Sequence, residues 1–119
     1  MTQLGASIRP MSAEDDPDPA AEHDLLVKLR LSNRTMGTAA ERADIEALSQ
    51  TLEDAVAAAG VGEFDGDEYG GGECTLFFAG PDADRLFAVL QPVLHRHPLG
   101  RGATVVMQYG DGEPVTRRI

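Results

Sequence analysis

Asp65-Gly66-Asp67-Glu68-Tyr69-Gly70 has the alternating carboxylates and closing glycine that open an EF-hand calcium loop. Such a loop takes a bidentate glutamate at its twelfth position and an oxygen ligand at its fifth, and here those positions hold Leu76 and Tyr69. The segment from Asp65 to Glu73 therefore reads as a solvated acidic hairpin, and no metal is expected. Cys74 could be a nucleophile with His95 or His97 as its base. It lies in an apolar run, however, in phase with Leu76 and Phe78, and burial keeps a thiol protonated and inert. A small core residue is the expectation. His95 and His97 are two residues apart at a helix end and cannot share a helical face, so they read as capping or surface groups. No catalytic set emerges, and no cofactor is implied.

Two further groups point to binding rather than catalysis. The loop Ser32-Asn33-Arg34-Thr35-Met36-Gly37-Thr38 precedes a helix, and Arg34, Thr35 and Thr38 supply a cation, hydroxyls and backbone donors. That is the chemistry of a small anion site, although no phosphate-loop motif accompanies it. The second group is a sheet face. Leu26, Lys28 and Arg30 from a first strand, Thr75 and Phe77 from a third, and Thr104, Val106 and Gln108 from a fourth all fall on the side away from the core. RNA-recognition domains use this face with stacked aromatics beside basic residues. Here Phe77 is the one aromatic, the glycine-aromatic motif is missing, and the charge is adverse. A mixed apolar and polar face suits a protein partner or a second copy of the chain better.

Charge excludes more than it selects. With 20 acidic and 10 basic side chains the chain carries a formal charge of -10, which repels nucleic acid and anionic lipid at long range. Neither is an expected partner. One cysteine cannot form an internal disulfide, so a reducing cytoplasm is the expected setting. No signal-peptide pattern opens the sequence and no run of apolar residues is long enough to span a membrane.

The elements that must position these groups follow from periodicity. Residues 1–22 hold the run Glu14-Asp15-Asp16-Pro17-Asp18-Pro19 without apolar periodicity and read as a mobile acidic tail. Leu25, Val27, Leu29 and Leu31 alternate along a half-buried strand. Thr38 and Glu41 form a capping box ahead of a helix whose apolar residues Ile45, Leu48, Leu52, Val56 and Ala59 end at Gly60. A weak, acidic edge strand then pairs, through Gly70-Gly71-Gly72, with the strongest strand of the chain, Glu73 to Ala79. Gly80-Pro81-Asp82 opens a second helix with Pro81 in its first turn. Leu86, Phe87, Leu90, Val93 and Leu94 are expected to line the buried stripe of that helix, and Pro92 is expected to kink or end it. A last alternating strand runs from Ala103 to Tyr109, and residues 111–119 read as a C-terminal tail.

Strand, helix, strand, strand, helix, strand is a ferredoxin-like βαββαβ order. It predicts an α+β domain over residues 23–110, with a four-stranded antiparallel sheet and two helices on one face. The first and third strands are expected in the centre. Through Gly70-Gly71-Gly72-Glu73, Gly80-Pro81-Asp82-Ala83-Asp84 and the closing strand, the chain resembles small uncharacterised bacterial proteins of this architecture over residues 24 to 110. The resemblance implies the fold and no activity. The leading expectation is a non-enzymatic module that binds a protein or itself through the open sheet face. The alternative is a small-ligand or anion-binding regulatory domain with its site at the start of the first helix.

Overall fold

The computed structural model describes residues 22–110 and 112–119. The acidic tail expected over residues 1–22 lies outside them, apart from Glu22. Seven elements follow in order: β1 (His23–Arg30), α1 (Ala39–Ala59), β2 (Glu63–Gly70), β3 (Glu73–Gly80), α2 (Ala83–Arg96), β4 (Thr104–Gln108) and β5 (Val115–Arg118). They form an α+β fold of two helices and one antiparallel sheet in the order β2-β3-β1-β4-β5. The first four strands and both helices are compatible with the expected ferredoxin-like arrangement, and β1 and β3 are interior as anticipated.

The expectation of four strands is corrected by β5. Val115–Arg118 pairs with β4 along Met107↔Val115 to Thr104↔Arg118, so part of the segment read as a C-terminal tail is sheet and β4 is not an edge. Ile119 closes this addition: its amide donates to the Ala103 carbonyl at 3.0 Å and its carbonyl accepts from Gly102 at 3.1 Å. All of β5 is exposed, which is why hydrophobic patterning does not reveal it.

Local chemistry explains the helices. The Thr38 hydroxyl accepts from the Glu41 amide, the Glu41 carboxylate accepts from the Thr38 amide, and Gly60, at φ 66°, turns the chain out of α1. Ile45, Leu48, Leu52 and Val56 then form the buried stripe, whereas Ala59 is exposed. In α2 the cap is Asp82, whose side chain accepts from the Asp84 and Arg85 amides, so Pro81 stands before the helix rather than in its first turn. Pro92 does not end α2, which continues to Arg96. Both Pro92 and Ala88, four residues earlier, are exposed, so the carbonyl deprived of a donor faces water. Beyond the proline, fully buried Leu94 holds the last turn onto the sheet.

The core lies between the helices and one face of the sheet. Leu25, Val27, Leu29, Cys74, Leu76, Phe78, Val105 and Met107 meet Ile45, Leu48, Leu52, Leu86, Leu90 and Leu94 in one continuous cluster. At the β2 and β3 ends the backbones approach so closely that a Cβ on Gly80 would strike the Val61 carbonyl. Glycine is required there by contact.

Candidate functional site

Alternation along paired strands builds the face opposite the helices. Residues 25, 27 and 29, with 74, 76 and 78, are at most 1% exposed, so their sequence neighbours point the other way. The strand registers arrange those neighbours in rows. A central row runs Gly66, Phe77, Leu26, Val106, Thr116, and beside it runs Glu68, Thr75, Lys28, Thr104, Arg118. On the opposite side lie Ala79, Asp24 and Gln108, while Arg30 pairs with Glu73 at the far end of β1. All eight residues assigned to this face from the sequence are therefore brought together. Arg30 is exposed and the other seven are half-buried.

The rows give the face a definite chemistry. Phe77, Leu26 and Val106 make a contiguous apolar strip, polar and charged residues flank it, and Gly66 leaves open space beyond Phe77 on the β2 side. A half-exposed strip of this kind gains by being covered, at roughly 25 cal/mol per Å² of apolar surface removed from water. Gln108 has an internal task as well. Its side-chain amide donates to the carbonyls of Gly110, at 2.8 Å, and Gly112, so it braces the turn between β4 and β5.

Sequence reasoning missed Thr116 and Arg118, because β5 was read as tail. The run Gly110-Asp111-Gly112 followed by Val115-Thr116 is a hairpin signal that could have found them. Asp24 shares its phase with Leu26 and Lys28 on β1 and could have been placed from that alternation, whereas Glu68, on the weakly patterned β2, joins the face only once the register is known.

The loop before α1 is built largely around its own acceptors. The Glu41 carboxylate accepts from the Thr38 amide at 2.9 Å, the Ser32 hydroxyl at 2.7 Å and the Ser32 amide at 2.9 Å. The Thr38 amide first, and then the Ser32 hydroxyl, hold the Glu41 carboxyl below its ordinary value. The Asn33 side-chain oxygen accepts from the Thr35 amide and hydroxyl and from the Gly37 amide. Thr35 thus gives its amide and hydroxyl to Asn33, and Thr38 its amide to Glu41, donors that an anion would need. Arg34 instead lines, with Arg30, Asn33, Gly71 and Gly72, a cleft of about 390 Å³ whose wall also carries Glu73.

The remaining groups are placed as follows. Cys74 is fully buried beside Tyr69, its cross-strand neighbour, and burial pushes its thiol up to about 11. Tyr69 is itself pushed up to about 12, chiefly by desolvation and then by Cys74. His97 caps α2 and its Nδ1 accepts from the Leu99 amide at 3.1 Å, while His95 is exposed on the same helix. Asp65, Asp67 and Glu68 lie on a strand rather than in a loop, and successive side chains of a strand diverge to opposite faces. Among the described residues no group of His, Cys, Asp and Glu is placed to hold a metal ion, and no helix is long and apolar enough to cross a membrane.

His23 was not singled out by its sequence context, yet it ties the sheet to α2. Its Nδ1 accepts from the Ala83 amide at 3.1 Å, and its ring meets Tyr109 edge-on at 5.3 Å. The Tyr109 hydroxyl donates to the Asp84 carboxylate at 2.6 Å, a bond that raises the tyrosine's pKa. These contacts tie the start of α2 to the sheet. Compared with family models, with curated proteins and with solved structures, the chain finds no match in any of the three.

Proposed function

We propose that this chain is a non-enzymatic protein-binding module whose working surface is the open sheet face. One observation carries the proposal: the half-exposed Phe77, Leu26 and Val106 adjoin one another at the centre of a face that neither helix covers. An apolar centre within a polar rim is the anatomy of a protein interface. Lys28, Arg30 and Arg118 lie near one end, beside Glu68 and Glu73, and Asp24 lies near the other, so the rim carries both signs of charge. A buried, protonated Cys74 suits the reducing, cytoplasmic setting expected from the cysteine count.

The anion reading draws support from the Arg30 and Arg34 cleft alone, because Thr35 and Thr38 donate internally and Glu73 stands in the wall. The sheet face is preferred for that reason. The test is to immobilise the parent and Phe77→Glu and to compare what each retains at equal loading, with circular dichroism confirming that both are folded. A defined partner held by the parent and lost from Phe77→Glu supports the proposal. Equal retention by both overturns it, and phosphate-induced shifts confined to Arg30 and Arg34 would move the site to the cleft.

A further inference from the structure

Resting on the reading of the open face as the working surface, we propose that its partner is a second copy of this chain. The two copies dock face to face about a two-fold axis lying along the Gly66, Phe77, Leu26, Val106, Thr116 row. The geometry of a self-complementary interface selects that axis. When two identical sheets pack face to face with their strands aligned, the axis lies in the plane between them, close to a row or close to the strands. An axis along the central row places Phe77, Leu26 and Val106 over the same residues of the other copy, apolar on apolar.

The same operation exchanges positions two residues either side of the row. Asp24 and Lys28 each stand two residues from Leu26 on β1, about 7 Å along the strand, so each copy's Asp24 meets the other's Lys28. Gln108 meets Thr104 on β4, and Ala79 meets Thr75 on β3. The three interior strands therefore bring no like charges together. An axis along β1 would instead set Asp24 over Asp24 and Lys28 over Lys28, which repel. The exchange of Asp24 and Lys28 is the charge complementarity that points to a second copy in this orientation. On the β2 edge the operation brings Glu68, in the Thr75 row, towards Glu63, in the Ala79 row; both are exposed at the rim, where solvent screens their repulsion.

Size sets the expected strength. Five strands about 4.8 Å apart, each contributing about 20 Å of length, give a footprint on the order of 500 Å² per copy. That is below the roughly 800 Å² per partner of a standard stable interface, so the dimer should be reversible and concentration-dependent.

Sedimentation equilibrium from about 10 μM to about 1 mM spans the dissociation constants expected of such a contact. The parent should pass from monomer towards dimer across that range. Asp24→Lys alone and Lys28→Asp alone should each weaken association at least tenfold, and the double variant Asp24→Lys with Lys28→Asp should restore it. As a check that does not depend on charge, Leu26→Cys should be joined to its own copy by a short bis-maleimide, and Thr104→Cys should not. A parent that stays monomeric throughout overturns the second-copy inference but leaves a Phe77-dependent capture of another protein standing. A dimer indifferent to both reversals and to their combination also overturns it. If Phe77→Glu dimerises as the parent does, the open-face reading falls with it.

Discussion

The two faces of one sheet differ sharply although they are made from the same strands. On the helix side Leu25, Val27, Leu76, Phe78, Val105 and Met107 are at most 1% exposed, every one apolar and packed in the core. On the other side, their immediate neighbours Leu26, Lys28, Thr75, Phe77, Thr104 and Val106 are half-buried, and they are apolar only along one row. A period of two writes both faces at once, but only the first must be filled to native density for the chain to fold. The second retains an apolar strip that folding does not consume. Surface kept apolar without a helix over it is where a partner gains most by binding.

Charged substitutions on the two faces should separate these roles. The largest effect is expected for Leu76→Glu, which puts an unpaired carboxylate among the core side chains. The cost should exceed about 4 kcal/mol, a large share of the ~5–15 kcal/mol of a typical domain. Urea unfolding followed by circular dichroism should find little folded protein at neutral pH. A cooperative transition close to the parent's would erase the distinction between the faces.

Phe77→Glu, one residue along β3, should cost the monomer no more than about 1 kcal/mol, since core packing is untouched. Association should fall by about 2 kcal/mol, roughly thirtyfold, as for an aromatic at the centre of an interface. If both substitutions at positions 76 and 77 unfold the chain, the open face is itself structural.

Cys74 gives the comparison a pH axis. Its thiol is raised to about 11, above the ~8.5 of an unfolded cysteine, so the folded state binds this proton more tightly than the unfolded state does. The stability it contributes is fully present below about pH 8.5 and is lost as pH rises through about 11. Labelling at pH 8 with a maleimide should be slow in the native protein and fast in urea, and rapid native labelling would show that the covered face opens readily. The smallest effect is expected at Gln108. Replacing it by alanine removes two bonds from the turn between β4 and β5, at a cost of about 1 kcal/mol. Amide exchange should quicken in Val115–Arg118 while β1 and β3 are unchanged.

Much of the covered face is legible in the sequence. Leu25, Val27, Leu29 and Leu31 alternate, Thr38 and Glu41 stand at capping-box spacing, and Gly70-Gly71-Gly72 separates the paired runs that become β2 and β3. Burial and local hydrogen bonding leave that pattern because both act over a few residues. The candidate face is legible only in part. Its eight named residues, and Asp24 with them, follow from phase along single strands, whereas Thr116, Arg118 and Glu68 join it only through register across strands.

By itself, then, the chain's spacing determined which residues of β1, β3 and β4 face inward, where α1 begins and ends, and that a helix pair covers one side. The tertiary structure showed that an exposed Val115–Arg118 pairs with β4: no buried residue marks the strand, and apart from the glycines of the intervening turn its stabilisation comes from backbone hydrogen bonds to β4. It likewise decided that Glu41, nine residues from Ser32, would occupy the donors of the loop before α1. The row from Gly66 to Thr116 is the clearest case. Its five residues come from five strands, so no local preference brings them together, and their adjacency is fixed by the order β2-β3-β1-β4-β5 in which the backbone hydrogen bonds are made.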